Sequence, residues 1–327
     1  MLKEISIEII RRCPNNCLHC SSNSGRDCED IIHINKFMNV VNDAMELGLQ
    51  TVCFSGGEPF LHPDILNMID YVHKKGLHSY IYTSGIIVDD NGNRITLPEK
   101  MLFEISGKVT KLIFNIEASN PCTYNLIMGT TNCFDLMKQS VINAVKCGII
   151  TEAHFVPMKL NVNEVELVIS LCEELGISKI SFLRLVLHGR AFDNESRIAL
   201  NTEEINSLKT KLNQIKKTNG FNIRVGVPLS EDENKHSCEA AKGKLNIKYD
   251  GYVYPCEVFK NNRVKMDECT IKPDNIYKND IVSIYNNSKY LNMVRDYIEE
   301  FTCTVSCENC IGQYFIDSYI EDGQNGK

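Results

Sequence analysis

Short apolar runs alternate with amphipathic stretches over the first 190 residues of the chain. Six runs rich in β-branched and aromatic residues predict strands at Glu4–Ile9, Thr51–Phe54, His78–Tyr82, Lys111–Ile116, Thr151–Val156 and Lys179–Leu183. Between them, apolar residues recur at helical spacing near Asn35–Leu47, Pro63–Lys75, Cys133–Lys146 and Val162–Leu175. A glycine follows each helical stretch, as expected of left-handed C-terminal caps: Gly48, Gly76, Gly148 and Gly176.

This alternation of strands and helices predicts an α/β fold. Strands joined by helical crossovers pair in parallel, and right-handed crossovers favour an open or closed barrel. Six such units predict a partial (β/α)6 barrel of the TIM type. Barrels of this kind carry their active sites at the C-terminal ends of the strands.

The remaining sequence predicts three further segments. Residues 191–235 are polar around one helix, Glu203–Lys217, and indicate a helical linker after a core barrel of residues 1–190. Residues 236–320 predict a small cysteine-rich α+β domain, with a hairpin turn at Asp250-Gly251 and a helical stretch at Ser283–Glu300. Residues 321–327 are expected to form a flexible tail.

Composition narrows the class of protein. The chain has 327 residues, a formal net charge of −7 and 43% hydrophobic residues, typical of a globular protein. We expect no nucleic-acid partner, because phosphate binding needs a concentrated basic surface. No apolar stretch approaches a membrane span and no signal peptide is evident, which predicts a cytoplasmic protein with no membrane association. The 15 cysteines suit reduced thiolates on metal better than a disulfide framework.

Three of these cysteines stand close together in the arrangement Cys-x3-Cys-x2-Cys: Cys13, Cys17 and Cys20. One short loop therefore offers three thiolates. A cubane iron–sulfur cluster has four irons, so three protein ligands leave one iron open to chemistry. A zinc knuckle is the alternative, but zinc sites usually come as Cys-x2-Cys pairs completed by a second pair.

A second motif follows the next predicted strand, where Thr51–Phe54 ends in Ser55-Gly56-Gly57-Glu58-Pro59. The two motifs, in this order and spacing, resemble the radical SAM superfamily. The resemblance implies a [4Fe–4S] cluster on Cys13, Cys17 and Cys20, with S-adenosylmethionine (SAM) on the open iron. It also implies that Gly56, Gly57 and Glu58 contact the methionine end of SAM. One-electron cleavage of SAM then yields a 5′-deoxyadenosyl radical that abstracts hydrogen from a substrate.

The resemblance extends to further SAM contacts. Ser84 stands in a segment similar to the family's Thr-Asn-Gly, and Asn115 ends the fourth predicted strand, where relatives often place ribose-binding and methionine-binding residues. The arginine expected about a dozen residues later is replaced by Met128-Gly129. Arg184 is therefore the predicted partner of the SAM carboxylate, since a guanidinium suits a carboxylate. Arg190 resembles a Gly-Arg of relatives and is predicted to be structural.

A second group of cysteines lies in the C-terminal segment. The spacing of Cys238, Gly251 and Cys256 resembles the start of the SPASM and twitch domains, which carry auxiliary [4Fe–4S] clusters. The chain has no cysteine after Cys310, so the resemblance implies a single auxiliary cluster. The predicted ligands are Cys238, Cys256, Cys307 and Cys310, with Cys303 as the main rival and Cys269 as a poor one. A structural zinc site is the alternative.

The predicted function is therefore that of a radical SAM enzyme of oxidoreductase type. SPASM and twitch relatives act mainly on peptides and on small metabolites, and oxidation or crosslinking of a peptide or protein side chain is favoured. Dehydrogenation or rearrangement of a small metabolite is the alternative, and a non-catalytic iron–sulfur or zinc protein is the second. An electron donor such as flavodoxin or ferredoxin is the expected partner.

Overall fold

The computed structural model describes residues 1–227, 229–230, 238–261, 264–266, 269–302, 310 and 312. Its strands are β1 (Glu4–Ile10), β2 (Thr51–Gly56), β3 (His78–Thr83), β4 (Ile86–Val88), β5 (Arg94–Thr96), β6 (Lys111–Asn115), β7 (Thr151–Phe155), β8 (Lys179–Phe182), β9 (Ile223–Val225), β10 (Lys244–Ile247), β11 (Val253–Tyr254), β12 (Val264–Met266) and β13 (Cys269–Ile271). The six predicted strands correspond to β1, β2, β3, β6, β7 and β8, and all six are confirmed.

One sheet forms the centre of the molecule, with the strand order β11-β10-β1-β2-β3-β6-β7-β8-β9. All neighbouring pairs are parallel except β10 and β11, which form the antiparallel hairpin predicted at Asp250-Gly251. In the described part of the chain no strand pair joins β9 to β11, so the barrel stays open between these two edges. The predicted partial barrel is confirmed.

Helices alternate with these strands along the chain. They are α1 (Ile34–Glu46), α2 (Ile65–Lys74), α3 (Glu99–Ile105), α4 (Pro121–Ile127), α5 (Phe134–Lys146), α6 (Val165–Glu174), α7 (Arg190–Asp193), α8 (Glu195–Ile198), α9 (Thr202–Thr218), α10 (Ile281–Asn287) and α11 (Lys289–Thr302). Four of the predicted helices are α1, α2, α5 and α6, and each ends at its expected glycine with a positive φ between 70° and 96°. None of the described helices is long and apolar enough to cross a membrane.

The alternation along β1 shows how the sheet separates two environments. Ile5, Ile7 and Ile9 are fully buried against the covering helices, where Phe37 of α1 stacks on Phe54 of β2 with ring centroids 5.4 Å apart. Glu4, Ser6 and Glu8 alternate with them and therefore face the barrel lumen. The lumen face stays polar on the other strands, since Ser6 pairs with Cys53 and His154 pairs with Asn115.

Several elements lie beyond the sequence prediction. The β4–β5 hairpin, α3 and α4 were not expected, and β9 adds a parallel strand within the predicted linker. The predicted helix Ser283–Glu300 is two helices, α10 and α11, separated at Ser288, whose extended backbone ends the first helix. The hydroxyl of Ser288 then accepts a hydrogen bond from the Leu291 N–H at 3.2 Å in the first turn of the second.

The C-terminal region is joined to the barrel through its first strand. β10 pairs in parallel with β1, from Glu4 opposite Lys244 to Ile7 opposite Ile247. The Lys244 ammonium also lies 2.9 Å from the Glu4 carboxylate. The cysteine-rich segment therefore begins as an extension of the barrel sheet.

Candidate cluster and cofactor site

The loop that carries the first three cysteines, residues 13–22, follows directly after β1 and is named the cysteine loop here. It lies at the C-terminal edge of the parallel sheet, where a barrel of this type places its chemistry. Cys13 is buried, whereas Cys17 and Cys20 are half-buried. The sequence motif is thus presented at the expected edge.

Glycines from three other parts of the barrel pack against the backbone of this loop and of the strand end before it. A Cβ on Gly57, after β2, would lie 2.1 Å from the Arg12 carbonyl oxygen. A Cβ on Gly129, after α4, would lie 2.1 Å from the Asn16 carbonyl oxygen, and one on Gly189 would lie 2.8 Å from that of Cys20. Backbone approach this close requires glycine at each position. The glycines of the Gly-Gly-Glu motif therefore allow close backbone contact with the segment that leads into the cysteine loop.

The side chains of Arg94 and Arg190 donate hydrogen bonds to carbonyl groups of the loop. Arg94, on the β4–β5 hairpin, donates from Nε and Nη2 to the Pro14 carbonyl at 3.0 and 2.9 Å. Arg190 donates from Nε to the Cys17 carbonyl at 2.9 Å, and its backbone N–H donates to the Cys20 carbonyl at 3.0 Å. Arg190 thus has a structural contact, and Arg94 is a residue that sequence reasoning missed because its hairpin was not predicted.

The three thiols influence one another electrostatically. Burial raises the pKa of Cys13 and Cys17 well above the ordinary value, and the charges of neighbouring thiols add to the rise. The free thiols of Cys13 and Cys17 therefore stay protonated at neutral pH, and binding to a metal centre has to deprotonate them.

The donor set fits an iron–sulfur cluster. Within the described ranges, no three His, Cys, Asp or Glu side chains lie close enough together to hold a single metal ion. A cubane cluster binds each thiolate at a different iron, so its ligands need not meet at one point. Three thiols on one loop, held at the barrel edge and close enough to interact, are the ligands such a cluster takes.

Glu58 lies beside this loop with its carboxylate fully buried. Its Oε1 accepts a hydrogen bond from Thr83 Oγ1 at 2.7 Å, and its Oε2 accepts from the Ser84 backbone N–H and Oγ at 2.9 and 2.7 Å. Burial raises the pKa of Glu58 to about 7, although the hydrogen bonds from Thr83 and Ser84 oppose the rise. The motif carboxylate thus connects the end of β2 to the end of β3.

The other predicted SAM contacts lie around the same edge. Ser84 is buried and directed at Glu58, and Asn115 is half-buried at the end of β6, in register with His154 of β7. Arg184 is half-buried just after β8, and its charge contributes to lowering the pKa of His188. The structure therefore places Gly56, Gly57, Glu58, Ser84, Asn115 and Arg184 at the C-terminal ends of β2, β3, β6 and β8.

One residue pair in this region was missed by sequence reasoning. The carboxylate of Glu117 is 1% exposed, and its Oε1 lies 3.4 Å from Nε2 of His19 in the cysteine loop. Its Oε2 accepts a hydrogen bond from the Val156 N–H at 2.9 Å. The signal available was the acidic residue two positions after Asn115, at the end of a predicted strand.

The C-terminal cysteines are also brought together. Burial raises the pKa of Cys256 well above the ordinary value, with smaller contributions from the charges of Cys310 and Cys238. These two thiols therefore lie near Cys256. The proximity of Cys238 agrees with its position beside Cys256 at the open end of the hairpin, and Cys310 reaches the same place from beyond α11. Cys303 and Cys307 lie outside the described residues, and for Cys269 the structure describes only the backbone, in β13.

Comparison with known proteins places both cysteine groups inside recognised domains. The Radical SAM superfamily model matches residues 7–172. A second family model, SPASM, described as an iron-sulfur cluster-binding domain, matches residues 238–311.

Individual relatives are distant and cover most of the chain. Probable GTP 3′,8-cyclase of Methanococcus maripaludis is 21% identical over 275 residues, covering 80% of this chain and 88% of that protein. PqqA peptide cyclase of Gluconobacter oxydans is 21% identical over 313 residues, covering 93% and 81%. The crystal structure of Streptococcus suis SuiB bound to precursor peptide SuiA superposes with a TM-score of 0.71 at 16% identity, covering 91% of this chain and 67% of that one.

Proposed function

Because the chain belongs to the radical SAM superfamily, we propose that it cleaves SAM reductively and abstracts a hydrogen atom from a peptide or protein side chain, which is thereby oxidised or crosslinked. Cys13, Cys17 and Cys20 would hold the SAM-binding [4Fe–4S] cluster. When bound there, the cluster and SAM would supply one-electron radical chemistry, and the protein's residues would bind, orient and shield these groups.

The observation that carries this proposal is the cysteine loop, held at the C-terminal edge of the barrel by glycine contacts and arginine hydrogen bonds. Three thiols and no fourth cysteine in this loop leave one iron of a cubane for SAM. Ser84, Asn115 and Arg184 lie at neighbouring strand ends and are proposed as SAM contacts. Gly56, Gly57 and Glu58 would shape the same site through the backbone they hold.

A single auxiliary [4Fe–4S] cluster is proposed on Cys238, Cys256, Cys307 and Cys310. Support comes from the match to the SPASM domain and from the proximity of Cys238 and Cys310 to Cys256. The cluster would accept an electron from the substrate radical, which is the step an oxidation requires, or bind the substrate. A flavodoxin or ferredoxin is the proposed donor to the first cluster.

A peptide substrate is favoured by two relatives. PqqA peptide cyclase aligns over 93% of this chain, and SuiB with its precursor peptide shares the fold over 91% of it. The likeness to a GTP cyclase, over 80% of this chain, supports a small metabolite as the second candidate.

The proposed activity is tested by incubating the anaerobically reconstituted protein with SAM and dithionite. We expect 5′-deoxyadenosine in the wild type and none in the Cys13→Ala/Cys17→Ala/Cys20→Ala variant. Cys28→Ala is the matched control, because Cys28 is a half-buried thiol of the same N-terminal region and is not a proposed ligand. Absence of 5′-deoxyadenosine from an iron-loaded wild type would contradict the proposal.

Metal analysis of the same triple variant tests the auxiliary cluster. About four irons and four sulfides remaining per chain would support one auxiliary cluster. Near-zero iron with about one zinc per chain would show that the C-terminal cysteines form a structural zinc site. It would also rule out an electron-accepting role for that site.

The substrate class is tested by co-expression with short peptides encoded beside the gene. We expect mass spectrometry to show a peptide that has lost hydrogen atoms in pairs, only when the three cluster cysteines are intact. Unmodified peptides together with turnover of a metabolite encoded by neighbouring enzymes would favour the second candidate.

A further inference from the structure

A buried ion pair joins the C-terminal segment to the cysteine loop. The ammonium of Lys260 lies 2.5 Å from Oε1 of Glu8 on the lumen face of β1. Lys260 is 5% exposed and Glu8 is fully buried. Ser22 Oγ donates a hydrogen bond to the same Glu8 oxygen at 2.6 Å, and the ammonium lies 3.4 Å from the hydroxyls of Ser21 and Ser22.

The two ends of this network belong to the two cysteine groups. Ser21 and Ser22 directly follow Cys20, whereas Lys260 follows Cys256 by four residues, after the single turn Glu257–Phe259. His188 makes a second connection, because its Nε2 lies 2.7 Å from the Val258 carbonyl of that turn. The adjacent Gly189 packs on the Cys20 carbonyl. The turn after Cys256 therefore contacts the cysteine loop directly and through residues 188–189.

The lysine is positioned to act by its charge. Burial disfavours the charged ammonium, but the charge and hydrogen bond of Glu8 outweigh it, so the pKa of Lys260 is raised and the group stays protonated. The negative charge of a Cys20 thiolate would add to that rise, so the sulfur of Cys20 lies within electrostatic range of the ammonium. Because little water separates buried groups, their electrostatic effect on one another is stronger than at the surface.

We propose that Lys260 is a positioning residue for the SAM-binding cluster, holding the loop after Cys20 and raising the reduction potential of the cluster by its charge. Glu8 fixes the ammonium in place and lowers the same potential. This inference rests on the proposed function, since it requires a cluster on Cys13, Cys17 and Cys20.

The direction of each effect follows from the charge of the cluster. One-electron reduction makes the cluster more negative, so a nearby positive charge stabilises the reduced state and a nearby negative charge destabilises it. Loss of Lys260 should therefore lower the potential, and loss of the Glu8 charge should raise it. If the ion pair were purely structural, loss of Lys260 and loss of the Glu8 charge would shift the potential in the same direction, because breaking the pair from either end disorders the same loop.

The test is an anaerobic redox titration followed by electron paramagnetic resonance, using the full-length, cluster-loaded protein. The signal that changes on addition of SAM identifies the SAM-binding cluster in the presence of any other. We expect a lower potential in Lys260→Met, a higher one in Glu8→Gln, and a value near the wild type in the double variant. Lys260→Arg, which keeps the charge, should stay closer to the wild type than Lys260→Met.

A matched control is Lys211→Met, which removes an ammonium 2.9 Å from Glu166 at the surface between α9 and α6 and should leave the potential unchanged. Shifts of the same sign in Lys260→Met and Glu8→Gln, or no shift in either, overturn the inference. Should Lys260→Met not fold, a Glu8→Gln potential at or below the wild-type value overturns it alone. A wild type that holds no SAM-responsive cluster contradicts the proposed function instead.

Discussion

The carboxylate of Glu58 shows how one buried group can organise two strand ends. Its hydrogen bonds from Thr83 and Ser84 are short, yet burial raises its pKa to about 7. The folded protein therefore holds this proton more tightly than the unfolded chain does. The contribution of Glu58 to stability is fully present below about pH 4.5 and falls as the pH rises to about 7.

Glu58→Gln removes this titration, because an amide does not ionise. From the shift in pKa we expect the free energy of unfolding of the wild type to fall by about 3 kcal/mol relative to that of the variant between pH 4.5 and 7. Anaerobic melting temperatures of both proteins across this range measure the difference. A gap between the two melting temperatures that does not change with pH would show that Glu58 is ionised throughout.

Protonation of His154 destabilises the folded protein, whereas protonation of Glu58 stabilises it. It is half-buried in the lumen beside Tyr82, and burial together with the charges of Arg224, Lys111 and Lys179 lowers its pKa to about 3. The imidazole is therefore neutral in the folded protein at neutral pH. Its contribution to stability is present above about pH 6.5 and is lost as the pH falls toward 3.

His154→Phe keeps a ring beside Tyr82 and cannot be protonated. As the pH falls from about 6.5 to 4.5, the free energy of unfolding should decrease in both proteins. We expect the decrease to be smaller in the variant, by up to about 3 kcal/mol. Acid titration followed by circular dichroism tests this, with His78→Gln as the control because His78 is exposed. Equal acid sensitivity of wild type and His154→Phe would contradict the expected pKa.

The end of α4 illustrates how an element boundary positions the cysteine loop. Gly129 has a φ of 58° and contacts the Asn16 carbonyl, while the Asn16 N–H donates to the Met128 carbonyl at 3.1 Å. The helix end thus holds the loop between Cys13 and Cys17 by backbone contacts, and Met128 Sδ also accepts a weak hydrogen bond from Cys17 Sγ at 3.7 Å. A side chain at position 129 would not fit against the Asn16 carbonyl.

Gly129→Ala should therefore displace the cysteine loop and lower the iron content per chain after reconstitution. Gly107→Ala is the matched control, because Gly107 has a φ of 76° with nothing within 4 Å of an added Cβ. The control carries only the backbone penalty of about 1 kcal/mol and should bind iron normally. Equal iron in both variants would show that the loop tolerates the displacement.

The barrel and the cysteine-rich region share one sheet. β10 covers the edge of β1, and Leu245, Ile247, Val253 and Tyr254 are buried in the common core. Each large apolar side chain contributes about 1.5–3 kcal/mol when buried. Removing this region would take these side chains out of the core. Their apolar partners in the barrel and the hydrogen-bonding edge of β1 would then be exposed to water.

A chain ending at residue 237 should accordingly aggregate when expressed, although it contains the whole Radical SAM match, residues 7–172. Size-exclusion chromatography of the soluble fraction tests this, with a chain ending at residue 320 as the control. A monomeric, thermally cooperative product from the shorter chain would show that the barrel folds without β10.

Local patterns determined much of the architecture. Six strands, four covering helices with their glycine caps and the hairpin at Asp250-Gly251 follow from periodicity and turn chemistry within short windows. The two cysteine groups and the Gly-Gly-Glu segment follow from spacing, which is also local. These features can be predicted from short stretches of sequence because they depend on neighbouring residues.

Other features were decided only by contacts between distant parts of the chain. β10 pairs with β1 across about 240 residues, and Lys260 meets Glu8 across 252 residues. In the sequence, Glu8 is one polar residue in an alternating strand, and nothing local separates a lumen-facing carboxylate from a solvent-facing one. The sequence therefore determined which elements form and which thiols can bind a cluster. The tertiary structure decided which charges are buried beside them, because burial depends on what the rest of the chain packs against each face.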